Sequence, residues 1–521
     1  MMSVISKDLV RVLGSTAVAL ILTSTVAAAT SVVVNGAAYR YAGGSTANLD
    51  GSGATYEVAT TNNGRAWGVL VSTAAGSAST LNVSNINVIT SGSKAHGIQV
   101  GAKGSNANGM DHSLIHLLGG VAVTTDGVGS YGLHAIDGGT IDGSVQITTT
   151  GASGFGAFAE SWSTINLSHS AINTSGQKAF GLIANNDMGT VAGQISGDAL
   201  TITTAGANAS GAYVDGGGQV LLTDSNITTS GATAHGVEAL SGGAVTLNGG
   251  SITTSGSNAR GIQADNATVI ANDVAIVTNN AARFSEGVQS HNNASVTLNG
   301  GSITTHGLRN YGLLASNGGS ITSSADITTL GNNAHAVQAG AFGTNHPGYA
   351  YDGTTSGTVS LTGGTIRTEA SNFAVGLHTV DEGLIDAENI AVETVGASSF
   401  GAFAESASTI RLSASTIQTT GDQAHGLLAN NDQGTVGGSI SATNTQIVTS
   451  GAGAAGALAQ AGGSISLTGG SVTAQGEAAS ALAISGSGTI VAEGTVLKTA
   501  QGPTIGVVLA SADDVAQIRL R

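Results

Sequence analysis

The sequence predicts an all-β solenoid of about 17 coils with a period near 25 residues, and three observations carry that prediction. The first is composition: 521 residues include 80 Gly, 2 Pro and no Cys, with 9% charged and 3% aromatic residues. Gly stands at about twice its usual share, yet no Gly-X-Y triplet accompanies it, so collagen is excluded. Hydrophobic residues at 41%, chiefly Ala, Val, Ile and Leu, are too many for a disordered linker. The second observation is a unit of about 25 residues, clearest in GGAVTLNGGSITTSGSNARGIQADNA from Gly242 to Ala267. A Gly pair opens a short alternating run, Gly249-Gly250 makes a bend, and Ser251-Ile252-Thr253-Thr254 forms a second run. A third run follows, centred on Gly261-Ile262-Gln263-Ala264, so that three strands and three turns make one coil. The third observation is recurrence. A small-x-Gly-apolar-x-small mark stands at Gly68, Gly97, Gly132, Gly156, Gly181, Gly211, Gly236, Gly261, Gly287, Gly312, Ala336, Gly376, Gly401, Gly426, Gly456, Ala481 and Gly506, mostly 24 to 26 residues apart.

Taken in order, the chain opens with Lys7 and Arg11 ahead of an apolar run, Val12 to Ala29, that ends in Ala27-Ala28-Ala29. These are the parts of a secretory signal peptide over residues 1–29, with cleavage expected after Ala29. The run contains several Ser and Thr and is barely long enough to span a bilayer, which argues against an anchor. Residues 30–65 read as an irregular lead-in that caps the open end of the solenoid. Residues 66–510 carry the coils. At about 4.8 Å per coil they make a rod roughly 80 Å long. Extra residues break the period around Gly101–Leu117 and Gly340–Gly357, with smaller expansions at Asp187–Asp198 and Asp432–Thr443. The breaks come in matched pairs because a block of nine coils is duplicated: FGAFAESWSTINLS at Phe155 returns as FGAFAESASTIRLS at Phe400, and GLIANNDMGTV at Gly181 as GLLANNDQGTV at Gly426. Residues 511–521 form a short C-terminal end with no alternating ten-residue strands, so no membrane β-barrel is expected within this chain.

Alternation assigns the faces of the third run. The first and third residues after each mark, such as Ile262 and Ala264, are apolar or small and face inward. The residue between them varies freely (Gln99, His134, Phe158, Ile183, Tyr213, Glu238, Gln263, Leu314) and is expected to face solvent.

Charge and residue content narrow the function. A net charge of −16 argues against nucleic acid or an anionic membrane as partner and suits solubility in an exposed compartment. With no Cys there is no disulfide, thiolate metal site or thiol nucleophile. Position four after the mark holds Glu160, Asn185, Asp215, Leu240, Asp265 and His291 on successive coils. Asp215 and Asp265, two coils apart, fall about 9–10 Å from each other, near the range for an inverting glycosidase. Polar residues at a turn are the simpler explanation, and no catalytic residue is assigned. The row before the mark holds Tyr131, Phe155 and Phe180 on consecutive coils, with His235, Tyr311, Phe400 and His425 further on. A structural ring ladder is favoured there over a sugar-binding strip. His96, His235, His335 and His425 share this row but are scattered, so no metal site and no cofactor are expected. Thr pairs at 203–204, 228–229, 253–254, 304–305, 328–329 and 419–420 put one hydroxyl of each pair outside. That row admits an ice- or surface-binding array, although β-propensity already accounts for it. The insertion Gly340–Gly357 gathers Phe342, His346, Pro347, Tyr349, Tyr351 and Asp352 in a chain poor in aromatics, and is the candidate recognition loop.

Coils such as GGSITTSGSNARGIQA, GGSITTHGLRNYGLLAS and GGSVTAQGEAASALAIS resemble the passenger domains of pertactin-like autotransporters over roughly residues 66–510. The resemblance implies a right-handed, parallel, single-stranded β-helix, exported through the inner membrane and displayed at the surface of a Gram-negative bacterium or secreted. It implies a structural adhesin rather than an enzyme, with host or neighbouring-cell glycans or proteins as partners. The family's C-terminal translocating barrel is absent from this chain, which leaves open a truncated gene product, a separate translocator, or an end in the periplasm or medium. A pectin-lyase-like, polysaccharide-active enzyme is the alternative.

Overall fold

The computed structural model describes residues 32–35, 39–42, 44–59, 66–72, 78–101, 111–187, 190–280, 284–340, 356–431, 436–508 and 516–521. The expected signal peptide lies outside them, as do all the residues of the candidate recognition loop, Phe342, His346, Pro347, Tyr349, Tyr351 and Asp352.

Every regular element among the described residues is a β-strand, and every strand pair is parallel. The unit read from Gly242 to Ala267 folds into strands Ala244–Asn248, Ser251–Thr254 and Ile262–Asp265. Each pairs with its counterpart one coil on, without register shift: Val245 with Val269, Ile252 with Ile276, Ile262 with Val288. A third-run strand stands at every one of the 17 marks, which bound about 16 turns of the solenoid.

Pairing starts before the first mark. Residues 30–65, expected as an irregular lead-in, contain strands Val32–Asn35, Tyr39–Tyr41 and Thr46–Ala59. Tyr39–Tyr41 stacks on Val69–Val71, and Thr46–Ala59 on Thr80–Ser91 with one register shift between Asp50 and Ala54. Thr80–Ser91 runs through one corner as a single strand and pairs with both Leu114–Leu117 and Ala122–Thr125. At the other end Ala516–Leu520 lies on Gly488–Glu493, so the last residues continue the ladder.

Two rows explain why the mark needs a Gly. The second run contributes one fully buried β-branched residue per coil, including Ile172, Ile202, Ile227, Ile252, Ile276, Ile303 and Ile327. The marked Gly lies against this row: a Cβ at Gly261 would collide with the γ2-methyl of Ile276 and come 2.5 Å from the carbonyl oxygen of Gly287. The interior is therefore closed by backbone set directly on methyl groups. This gives native packing density from small side chains.

The Thr pairs split as alternation requires. The inner member is buried and its hydroxyl donates to the carbonyl five residues on: Thr229 to Ala234 at 2.6 Å, Thr254 to Ala259 at 3.0 Å, Thr329 to Ala334 at 2.8 Å. In the 419–420 pair the register differs, because Thr419 is the inner member and donates to Ala424. The outer row runs Thr203, Thr228, Thr253, Val277, Thr304, Thr328, Arg367, Glu393, Gln418, so its hydroxyls are interrupted.

Candidate functional site

The middle residue of the third run departs from the expectation. It does point away from the core, but it does not reach solvent: Gln99, His134, Phe158, Ile183, Gln289, Leu314, Gln338, His378, Phe403 and Leu428 are all buried, while Tyr213, Glu238 and Gln263 are partly exposed. The cause is local. Most third-run strands are only three or four residues long, so the residue before the mark and the turn after the strand rise on either side of the middle row. Where those flanking side chains are large, they close over it.

Two such clusters occur, at equivalent places in the duplicated block. In the first, the row before the mark stacks His96 on Tyr131 (centroids 4.4 Å apart) and Tyr131 on Phe155 (4.8 Å, planes 5° apart). The middle row stacks His134 on Phe158 at 5.2 Å, and Tyr131 and Phe155 meet Phe158 edge-on. Beneath the rings runs a polar chain. Trp67 Nε1 donates to Gln99 Oε1 at 2.6 Å, His134 Nδ1 lies 3.1 Å from the same oxygen, and His134 Nε2 is 2.9 Å from Glu160 Oε1. In the second cluster His378 stacks on Phe403 at 5.1 Å, Phe400 on His425 at 5.4 Å, and His378 Nε2 is 2.6 Å from Glu405 Oε1. The ring row stacks as a ladder from coil to coil, and it is joined by a His–Glu pair that spans adjacent coils.

Electrostatics in the second cluster follow from desolvation. Burial takes His378 down to about 3 and Glu405 up to about 7, so both groups favour their neutral forms. Burial likewise takes His425 down to about 4. Between the clusters the rows turn polar. Ser210 donates to Glu238 at 2.6 Å, and Arg260 pairs with the fully buried Glu286 at 2.7 Å. His235, buried and beside Arg260, is lowered to about 3.

The two clusters differ in closure. Over the first lies a cleft of about 610 Å³, bordered by Arg40, Trp67, Lys94, Tyr131, Phe155 and Asp187, with Gln99, His134, Phe158 and Glu160 as its floor. In the second, Tyr311, His335, Val375 and Phe400 occupy the flanking row and are all buried.

Among residues singled out for chemistry, Glu160 is held by His134. Asp215 accepts from Tyr213 Oη (3.2 Å) and from the Gly216 amide (2.7 Å), and Asp265 accepts from Asn292 (2.8 Å). Asp215 opens a turn of the kind that calls for a polar side chain, and Asp265 ends the strand Ile262–Asp265 just before a bend. Nothing in the sequence pattern marks Arg40, Lys94 or Asp187 as site residues. Trp67 carried a signal nonetheless, as one of two Trp in the chain.

No protein-family model matches the chain, and no curated protein matches it. Among solved structures it is similar to Vag8, in the cryo-EM structure of the Vag8–C1 inhibitor complex, with 15% identity and a TM-score of 0.56. The likeness covers 94% of this chain and 100% of that one, and it shows a shared β-helix fold.

Proposed function

We propose that this protein is an exported, passenger-type β-helix that acts as a structural adhesin at the cell surface or after secretion. The observation that carries the reading is continuity: one β-helical rod accounts for nearly the whole described chain and parallels Vag8 along all of that chain. A solenoid of this kind offers long lateral faces in place of one central pocket. Vag8 is seen in a complex with a protein, C1 inhibitor. That supports a partner of the same general kind, a protein or glycan at another cell's surface. The acidic, cysteine-free composition and the signal-like N-terminus fit export. The coil sequences, which resemble those of pertactin-like passenger domains, support the same reading.

We infer no enzymatic role. The paired carboxylates of the alternative reading, Asp215 and Asp265, are each engaged with a local turn or a neighbouring amide. One experiment separates the two classes. Cells displaying the mature chain should attach to host or neighbouring cells, and the purified chain should release no soluble fragments from pectins or host glycans. Release of fragments that stops with Asp215→Asn, without attachment, would overturn the adhesin reading. Deleting residues 340–357 tests the loop: attachment that survives it removes the loop from the recognition surface.

A further inference from the structure

The duplication supplies an internal control. Whatever both blocks keep is what the rod itself needs, and whatever one block alone carries is extra. Both keep the floor: Gln99 and Gln338, His134 and His378, Phe158 and Phe403, Glu160 and Glu405. They part at the walls. Trp67 stands where the second block has Tyr311, Tyr131 where it has Val375, and Lys94 where it has Asn333. Lys94 and Asn333 even share a backbone conformation, with φ of 58° and 53°, so the turn does not dictate the Lys. The second block is sealed, its Tyr311 and Val375 buried; the first is open, with Trp67, Tyr131 and Phe155 partly exposed and Arg40 and Lys94 exposed.

From this divergence we propose that the first-block cleft binds a short glycan that carries one acidic sugar, its carboxylate held at the Arg40–Lys94 end. As a statement of what the rod attaches to, this rests on the adhesin reading; as a binding site it stands on the cleft alone. The cleft crosses from the strand Tyr39–Tyr41, which carries Arg40, to the coil marked by Gly181, a length of about 24 Å at the coil spacing, which is room for three or four sugar rings. Its rings offer flat apolar surface for the C–H faces of pyranoses, and the imidazole, amide and carboxylate groups among them offer hydrogen bonds to hydroxyls. A peptide strand fits less well. The strands beneath, Ala95–Val100, Leu133–Ala135 and Ala157–Ala159, are paired on both sides and leave no backbone edge to extend. Charge sets the orientation. Glu160 is already bound to His134 and exposed Asp187 lies toward the opposite end, so an anion is favoured only beside Arg40 and Lys94.

The test uses the purified full chain carrying Trp162→Phe, so that Trp67 is the sole Trp reporter. The Trp162 indole N–H is buried without a partner, so Phe forfeits no hydrogen bond. Titration with 3′-sialyllactose should change the fluorescence saturably, and lactose, which lacks the acidic sugar, should bind roughly tenfold more weakly. Lys94→Asn should weaken 3′-sialyllactose by about tenfold, and Tyr131→Val should weaken it further. Both substitutions install what the second block carries at the same place, so the rod should hold them with little change in its urea midpoint. No saturable response to 3′-sialyllactose, an equal response to lactose, or titrations unmoved by both substitutions each overturn the assignment. Since no cell enters the measurement, a failure here is separate from a failure of attachment.

Discussion

Thr253 and Thr254 are adjacent and chemically identical, yet the fold gives them opposite weight. Thr254 lies wholly inside, and its hydroxyl holds the Ala259 carbonyl at 3.0 Å; Thr253 sits on the outer row. Valine is nearly isosteric with Thr, so replacing each isolates the hydroxyl. Thr254→Val leaves a buried carbonyl without that donor and should lower stability by about 1–3 kcal/mol, whereas Thr253→Val should stay within about 0.5 kcal/mol. Urea unfolding of the two variants checks this, and equal midpoints would remove the inner hydroxyl ladder as a source of stability. Alternation requires that one Thr of each pair points in, and the paired coils show which: the second member at 253–254 and the first at 419–420. The marked Gly was legible only as a recurrence. Its reason, a backbone set against the Ile276 methyl and the Gly287 carbonyl, needed the coils in three dimensions.

At the scale of a strand and its neighbours, alternation reached its limit. It placed the inner faces correctly and then assigned the middle row to solvent, because a strand pattern has only two sides. Whether the outer side is covered depends on side chains about one coil away. His134 and Glu160 are 26 residues apart, His378 and Glu405 27, and no local window sees such a pair. A search for His followed by Glu at one period plus one or two residues, present in both blocks, would have found them. The pair makes a pH prediction. Glu405, raised by burial from 4.5 to about 7, favours folding below 4.5 and loses that contribution as pH climbs through 7. His378, lowered from 6.5 to about 3, contributes above 6.5 and loses it as pH falls toward 3. Over the shared window the two slopes oppose each other. Glu405→Gln keeps an acceptor for His378 but cannot ionise. Its stability should therefore gain on the parent by on the order of 1–3 kcal/mol between pH 4.5 and 7, read from urea midpoints across that range. A difference that stays flat with pH would mean that Glu405 does not titrate in the folded rod as its burial requires.

For the molecule as a whole, the stacking read from the sequence and the ladder in the structure agree along the marks, and the breaks in period are taken up outside the paired runs. Gln194, inside the 187–198 expansion, already stacks on Thr164 and on Gln219, and Leu313 stacks on Val337 just ahead of the 340–357 insertion. This follows if each coil is stabilised only by those above and below it. The duplication turns that statement into an experiment. Phe155-Gly156-Ala157-Phe158-Ala159-Glu160 and Phe400-Gly401-Ala402-Phe403-Ala404-Glu405 are the same six residues. Joining Gly156 to Ala402 and removing residues 157–401 therefore leaves the junction sequence unchanged. His134 would then face Glu405 in place of Glu160, and Tyr131 would face Phe403 in place of Phe158. The shortened chain should fold as a rod about 43 Å shorter, nine coils at the strand spacing, measurable by small-angle X-ray scattering. Its far-ultraviolet spectrum should be unchanged in shape. Trp67, Lys94 and Tyr131 remain above a floor rebuilt from second-block residues, so the 3′-sialyllactose response should survive as well. A chain that collapses or aggregates would show that coils depend on partners beyond their neighbours. A folded short rod that no longer binds would overturn the placing of the site, because the sequence after the junction supplies Asn430 and Asp432 where Asn185 and Asp187 stood.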